Sequence, residues 1–179
     1  MQKKNIFAII GSAGNGSANQ KLVDIFTRLT ADYFQVTQSA DLKTLPHFDP
    51  GLSDRNPPEQ IINLRQQIDE ADGVLICTPE YIFSIPSGLK NVIEWCVITT
   101  IFTDKPLGIV TAAAGGEKAH EELHLIMKTL MAKFTDETTL LIQGIKGKIN
   151  EAGEITDQQT TERFAKFVDA FKNLVQPSA

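Results

Sequence analysis

The sequence predicts a three-layer α/β protein whose five-stranded parallel sheet runs in the order 2-1-3-4-5. Three observations carry that reading: five short apolar runs, helical-period segments alternating with them, and loops marked by glycine or proline after the first, third and fourth runs. Strands covered on both faces are continuously apolar, and parallel neighbours need crossover connections, which are nearly always right-handed.

Ile6 to Ile10 is the first run and stops at Gly11. From Ser17 the spacing of Leu22, Ile25, Phe26 and Leu29 makes one apolar helix face, with Ser17 or Asn19 placed to cap the first turn. Tyr33 to Val36 is a short second strand. A proline-marked surface connection follows from Asp41 to Pro50, then a linker-like stretch from Gly51 to Pro58. Pro57 or Pro58 opens a helix to about Glu70, with Ile61, Ile62, Leu64 and Ile68 inward. Gly73 to Thr78 is the third strand, Pro79 to Pro86 a loop, and Gly88 to Trp95 a helix. Leu107 to Thr111 is the fourth strand, Ala112 to Gly116 the loop at its end, and a helix then continues to Phe134. Thr138 to Ile142 is the fifth strand, Gly144 to Gly153 a turn-rich excursion, and Thr160 to Leu174 a closing amphipathic helix.

The 179 residues suit one domain spanning 1–179, since a domain takes roughly 150 residues. Hydrophobic residues at 42% and charged ones at 22% exclude a disordered, collagen-like or coiled-coil chain. A net charge of −5 opposes nucleic-acid or anionic-membrane partners. The apolar run at Ile6 is too short for a signal-peptide core or a membrane span. Cys77 and Cys96 each lie in an apolar run, where they read as small buried residues. They make neither a disulfide framework nor a four-cysteine zinc site, and a cytoplasmic location is expected.

Ligands of such sheets bind beyond the carboxyl ends of the strands where the order reverses, here between strands one and three. The loop from Gly11 to Asn19 has three glycines, two serines and two asparagines just before a helix, whose free N–H groups and positive dipole end attract phosphate. No Gly-Lys-Ser/Thr follows, and glycines at 11, 14 and 16 miss the Gly-x-Gly-x-x-Gly spacing, so a single phosphate fits better than a pyrophosphate. In the loop after strand three, Pro79 and Pro86 give stiffness, Tyr81 and Phe83 can wall a flat ligand, and backbone amides can meet a heteroaromatic edge.

On these residues the chain resembles the NADPH-dependent FMN reductase family, flavodoxin-like enzymes that include quinone, azo-dye and chromate reductases. Gly11, Ser12, Ser17 and Asn19 match the family's Gly-Ser-x-x-x-x-Ser-x-Asn pattern. Pro79, Glu80, Tyr81, Ser84, Pro86, Leu89, Lys90, Asn91, Ile93, Glu94 and Trp95 match its second motif, and Asp41, Leu42, Leu45 and Pro46 its Asp-Leu-x-x-Leu-Pro segment. The resemblance implies an FMN phosphate on Ser12, Ser17 and Asn19, in a loop that also holds Gly14 and Ala18. It places the flavin ring against Pro79, Glu80, Tyr81, Ile82 and Phe83, and Ala112, Ala113 and Gly115 at its pyrimidine end. NADPH or NADH would be the reductant, and a quinone, azo compound or free flavin the small-molecule acceptor of two electrons. No catalytic acid or base is called for. A homodimer or homotetramer is implied, with Lys90, Asn91, Glu94 and Trp95 in helix-start packing and subunit contacts.

Three positions depart from the family pattern. Gly14 stands where many members carry arginine, Ile82 replaces an asparagine, and the loop from Ala112 to Gly116 lacks a frequent serine. A non-enzymatic flavin-binding electron carrier is the alternative within the same fold. The remote alternative is a zinc hydrolase using His120, Glu121 and His124, which fit His-Glu-x-x-His. Its third ligand would have to be Glu137, Glu151 or Glu154. The expected buried stripe of that helix, Ala119, Leu123, Ile126, Met127, Leu130 and Phe134, leaves both imidazoles at the polar edge. His47 reads as a surface residue, as do the lysine pairs at 3–4 and at 146 and 148.

Overall fold

The computed structural model describes residues 2–14 and 16–176; Asn15, one of the two first-loop asparagines, lies outside them. The sheet comprises β1 (Lys4–Ile10), β2 (Phe34–Gln38), β3 (Gly73–Thr78), β4 (Leu107–Ala113) and β5 (Thr139–Gln143), all parallel in the order β2-β1-β3-β4-β5. The helices are α1 (Ala18–Leu29), α2 (Pro50–Ser53), α3 (Glu59–Glu70), α4 (Ser87–Cys96), α5 (Glu117–Thr129) and α6 (Gln158–Val175). Register carries the apolar runs across the sheet, Ile9 opposite Ile76 and Ile76 opposite Ile109. One face packs on α1 and α6 through Leu22, Phe26, Phe164, Phe167 and Phe171. The other packs on α3, α4 and α5 through Leu64, Ile68, Leu89, Val92, Leu123 and Met127. Both faces of the central strands β3 and β4 are therefore dry, as their unbroken apolar runs require, while the edge strand β2 leaves Gln35, Thr37 and Gln38 exposed. Among the described residues no helix is long and apolar enough to cross a membrane.

The second strand lies at Phe34–Gln38 rather than Tyr33 to Val36, and three further segments differ from the sequence reading. First, β4 continues through Ala113 because Ala112 and Ala113 pair with Ile142 and Gln143. Second, α5 stops at Thr129 rather than Phe134. Met131 takes a left-handed φ of 58°, after which Lys133 leaves the helix to exchange hydrogen bonds with Lys105 and Leu107 at the start of β4. Ladder bonds replace helical ones there, which periodicity alone does not reveal. Third, the stretch after Asp49 carries α2, capped where the Asp49 carboxylate accepts the Gly51 N–H at 2.7 Å.

The connection from Asp41 to Pro50 is also less superficial than expected. Leu42 is buried, and the Pro46 carbonyl accepts from Asn91 Nδ2 at 2.9 Å and Trp95 Nε1 at 2.8 Å. Asn91 Oδ1 in turn accepts the Phe48 N–H at 2.7 Å, and the Phe48 ring meets the edge of Trp95 at 5.3 Å. Asn91 and Trp95 thus fasten α4 to that connection within the chain.

Candidate functional site

A cavity of about 510 Å³ lies over the carboxyl ends of β1, β3 and β4, a volume within the range of small-molecule sites. Ser12, Ser17, Ala18 and Asn19 form its first wall, Pro79, Glu80 and Tyr81 its second, and Ala112, Ala113 and Ala114 its third. Gly144, Ile145 and Lys146 close it.

The first wall follows from how α1 begins. Ser17 is the N-cap, in extended geometry, and its Oγ accepts the Gln20 N–H at 3.1 Å. The Lys21 N–H bonds the Ser17 carbonyl. The N–H groups of Ala18 and Asn19 therefore have no partner within the helix, and both residues line the cavity. An oxygen accepting at an N-cap keeps its own hydrogen, so the Ser17 hydroxyl remains a donor. Asn19 behaves differently from a simple ligand residue. Its amide is buried, donates to the Ala112 carbonyl at 3.2 Å and accepts from Cys77 Sγ at 3.4 Å. The side chain binds α1 to β3 and β4, and its main-chain N–H is what it offers to a ligand. Gly14, whose N–H lies 3.4 Å from Ser12 Oγ, borders a smaller adjoining cavity of about 150 Å³ instead.

The second wall is a tight hairpin. Tyr81 and Ser84 exchange backbone hydrogen bonds at 3.0 and 3.1 Å, and the two residues between them, Ile82 and Phe83, have φ of 49° and 58°. Two positive φ values make a type I′ turn, which glycine and asparagine adopt readily and a β-branched residue does not. The side chains of Ile82 and Phe83 point into solvent, 93% and 78% exposed, and leave the cavity wall to Pro79, Glu80 and Tyr81. Replacing Ile82 with asparagine is expected to raise stability by about 1 kcal/mol by relieving left-handed strain. Urea unfolding of the two proteins reads this, with Ile82→Val expected to give no gain.

Two carboxylates hold this hairpin from behind. Glu80 accepts the N–H groups of Gly116 and Ala119 at 3.2 and 3.0 Å, capping α5, whose own N-cap Gly116 has φ 105° and no side chain to do so. Glu122 answers from α5, accepting from Ser84 Oγ at 2.7 Å and the Ile85 N–H at 3.0 Å, with Lys90 at 3.7 Å. Burial alone would push the Glu122 pKa up, but these hydrogen bonds and Lys90 outweigh it and hold the carboxyl below its ordinary value. The Glu80 carboxylate is thus partnered with the start of α5. Gly115 sits behind this wall near Glu80 and does not line the cavity.

Of the residues expected from the sequence, nine line the cavity, while Gly14, Ile82, Phe83 and Gly115 do not. Sequence reasoning missed Glu122, Ala114 and the segment from Gly144 to Lys146. That segment is drawn in by the Gly144 N–H, which donates to the Ala114 carbonyl at 3.1 Å, and by the left-handed φ of 62° at Gly144. The glycine closing the fifth apolar run was the available signal.

The zinc alternative finds no ligand set. Among the described residues no three His, Cys, Asp or Glu side chains converge as a metal needs. The imidazoles are half-buried, not at a solvated edge. His120 Nδ1 lies 2.8 Å from Thr111 Oγ1, the two rings are 4.4 Å apart, and His124 packs edge-on to Phe134. Burial and the neighbouring His124 push the His120 pKa down to about 4, so it is neutral. Glu121 pairs outward with Lys118 at 2.8 Å. Cys77 and Cys96 are buried and unpaired, and desolvation drives both thiol pKa values up.

A family model for NADPH-dependent FMN reductase matches residues 4–146. The NADH:(hydroxy)cinnamate reductase subunit CrdA of Vibrio ruber is 31% identical over 180 residues, covering 96% of this chain and 85% of that protein. A quinone reductase of Escherichia coli is 28% identical, covering 98% and 97%. Among solved structures, the flavoenzyme FerB of Paracoccus denitrificans, an NAD(P)H:(acceptor) oxidoreductase, superposes with a TM-score of 0.85 at 25% identity over 97% of both chains. The chain belongs to the NADPH-dependent FMN reductase family and is an NAD(P)H-dependent oxidoreductase with FMN as its cofactor.

Proposed function

We propose that the 510 Å³ cavity is the FMN site and that the protein passes two electrons from NAD(P)H to a quinone or a similar flat acceptor. The observation that carries this reading is the start of α1: two unpartnered N–H groups, at Ala18 and Asn19, and the Ser17 hydroxyl share one cavity with a stiffened aromatic loop. Phosphate suits such a helix start, and a planar ring suits the wall beside Tyr81. Ser12, Ser17, Ala18 and Asn19 hold the phosphate in this reading. Pro79, Glu80 and Tyr81 face the ring, with Ala112 and Ala113 at its pyrimidine end. When bound, FMN supplies the two-electron exchange between nicotinamide and acceptor.

The chain contributes orientation. Glu80 and Glu122 fix the ring-facing loop against α5, and the small side chains of Ala112 and Ala113 leave room for the edge of a flat ring. A quinone is favoured because relatives from bacteria and plants carry that activity in their names. The exposed tip at Ile82 and Phe83 supports assembly as a homodimer or homotetramer, in which a second copy covers it. The two buried, unpaired thiols support a reducing, cytoplasmic setting.

Ser17→Ala is expected to weaken FMN binding by about 1–2 kcal/mol, measured as quenching of flavin fluorescence. Losing the cap also costs α1 about 1 kcal/mol. Ser17→Asp separates the two effects, since aspartate caps as well as serine yet repels phosphate, and it should bind FMN more weakly still. A purified protein that is colourless, takes up no added FMN and oxidises no NAD(P)H with a quinone would overturn the reading.

A further inference from the structure

The FMN site proposed above must hold a phosphate of nearly two negative charges in a protein of net charge −5, with no cation between Gly11 and Asn19. The side chains with ionisable groups that line the cavity are Glu80, Tyr81 and Lys146. Glu80 is committed to the N-terminus of α5. Among the described residues Lys146 is thus the one cation in the lining, and its side chain has neither an ion pair nor a hydrogen bond.

Its position is built rather than accidental. Ile145, beside it, is buried in the core cluster that contains Leu22 of α1, and the Gly144 N–H is bonded to the Ala114 carbonyl. On the far side, Lys21 Nζ of α1 donates to the Asn150 carbonyl at 3.0 Å. The turn over Ile145–Gly147 is therefore fastened to β4 on one side and to α1 on the other, so the root of Lys146 is fixed while its ammonium stays free. At Gly14, where many family members carry arginine, there is no side chain to offer a charge, and among the described residues an added Cβ would meet nothing within 4 Å.

We propose that Lys146 pairs with the FMN phosphate and supplies from the β5–α6 connection the charge that the first loop lacks. The inference rests on the FMN reading and adds a residue that the first-loop pattern does not contain. The test is titration of wild type and Lys146→Gln with FMN and with riboflavin, followed by flavin fluorescence at low and moderate salt. FMN binding to the variant should weaken about tenfold at low ionic strength and lose most of its salt dependence, as expected for one charge-assisted contact. Riboflavin, which lacks the phosphate, should bind both proteins equally, and Lys146→Arg should restore FMN binding. Unchanged FMN affinity in Lys146→Gln, or an equal loss for riboflavin, overturns the role of Lys146 and leaves the FMN site standing. A wild-type protein that binds no FMN overturns both.

Discussion

Replacing Trp95 with alanine is expected to destabilise the protein by about 3–5 kcal/mol, the range for deleting a fully buried large aromatic side chain. Trp95 is 0% exposed, and its loss would leave more than a void. The indole N–H is one of two donors to the Pro46 carbonyl, and the ring is the surface on which Phe48 rests. Among the described residues the connection from Asp41 to Pro50 would keep only Asn91 as its polar anchor on α4. Urea unfolding measures the stability, and proteolysis at Lys43 reports loosening of the connection. Trp95→Phe keeps most of the packing but not the donor and should cost about 1 kcal/mol from the hydrogen bond. If both variants lose equally, the indole N–H rather than the ring volume is the dominant contribution.

The central strands were legible because β1, β3 and β4 carry continuous apolar runs that end at a glycine or a proline-marked or alanine-glycine loop, whereas the edge strand β2, Phe-Gln-Val-Thr-Gln, carries a weaker signal. Burial on both faces leaves that mark on the sequence. The first wall of the site was legible for the same kind of reason, since a helix start after a strand writes its cap into adjacent residues. What escaped is non-local or conformational. Glu80 and Glu122 reach partners 36 to 39 residues away, and nothing in the spacing of either says which N–H it will meet. The helix end at Thr129 was hidden because Leu130 and Phe134 continue the apolar period even though the backbone has turned away to pair beside β4. Ile82 shows a subtler case. As a departure from a family pattern it suggests a missing side-chain hydrogen bond, whereas its φ of 49° makes the position a backbone requirement that asparagine meets without strain.

Gly11→Ala is expected to cost about 1–3 kcal/mol of stability, the usual penalty for overpacking a filled interior, and to lower FMN affinity with it. Gly11 directly follows β1 at the point where the strand order reverses, and its N–H donates to the Cys77 carbonyl at 2.9 Å. A Cβ there would lie 2.4 Å from Thr78 Oγ1, 2.9 Å from Thr78 Cβ and 3.3 Å from Leu89 Cδ2. Rotating the buried Thr78 side chain could move its hydroxyl, at the expense of the bond from Oγ1 to the Pro79 carbonyl at 3.1 Å, but it cannot move Cβ. The main chains of β1 and β3 would have to separate. Those two strand ends carry the phosphate-facing loop and the ring-facing loop, so the strain is delivered to the spacing between the two halves of the site. Stability should be measured on the FMN-free protein, because bound cofactor would stabilise the fold by mass action and mask the loss. Gly14→Ala, in open space, is the control and should change stability by less than about 0.5 kcal/mol. If Gly11→Ala lowers stability yet binds FMN like wild type, the two loops keep their spacing through Glu80, Glu122 and α5 rather than through the strands, and the hairpin is an independently braced platform.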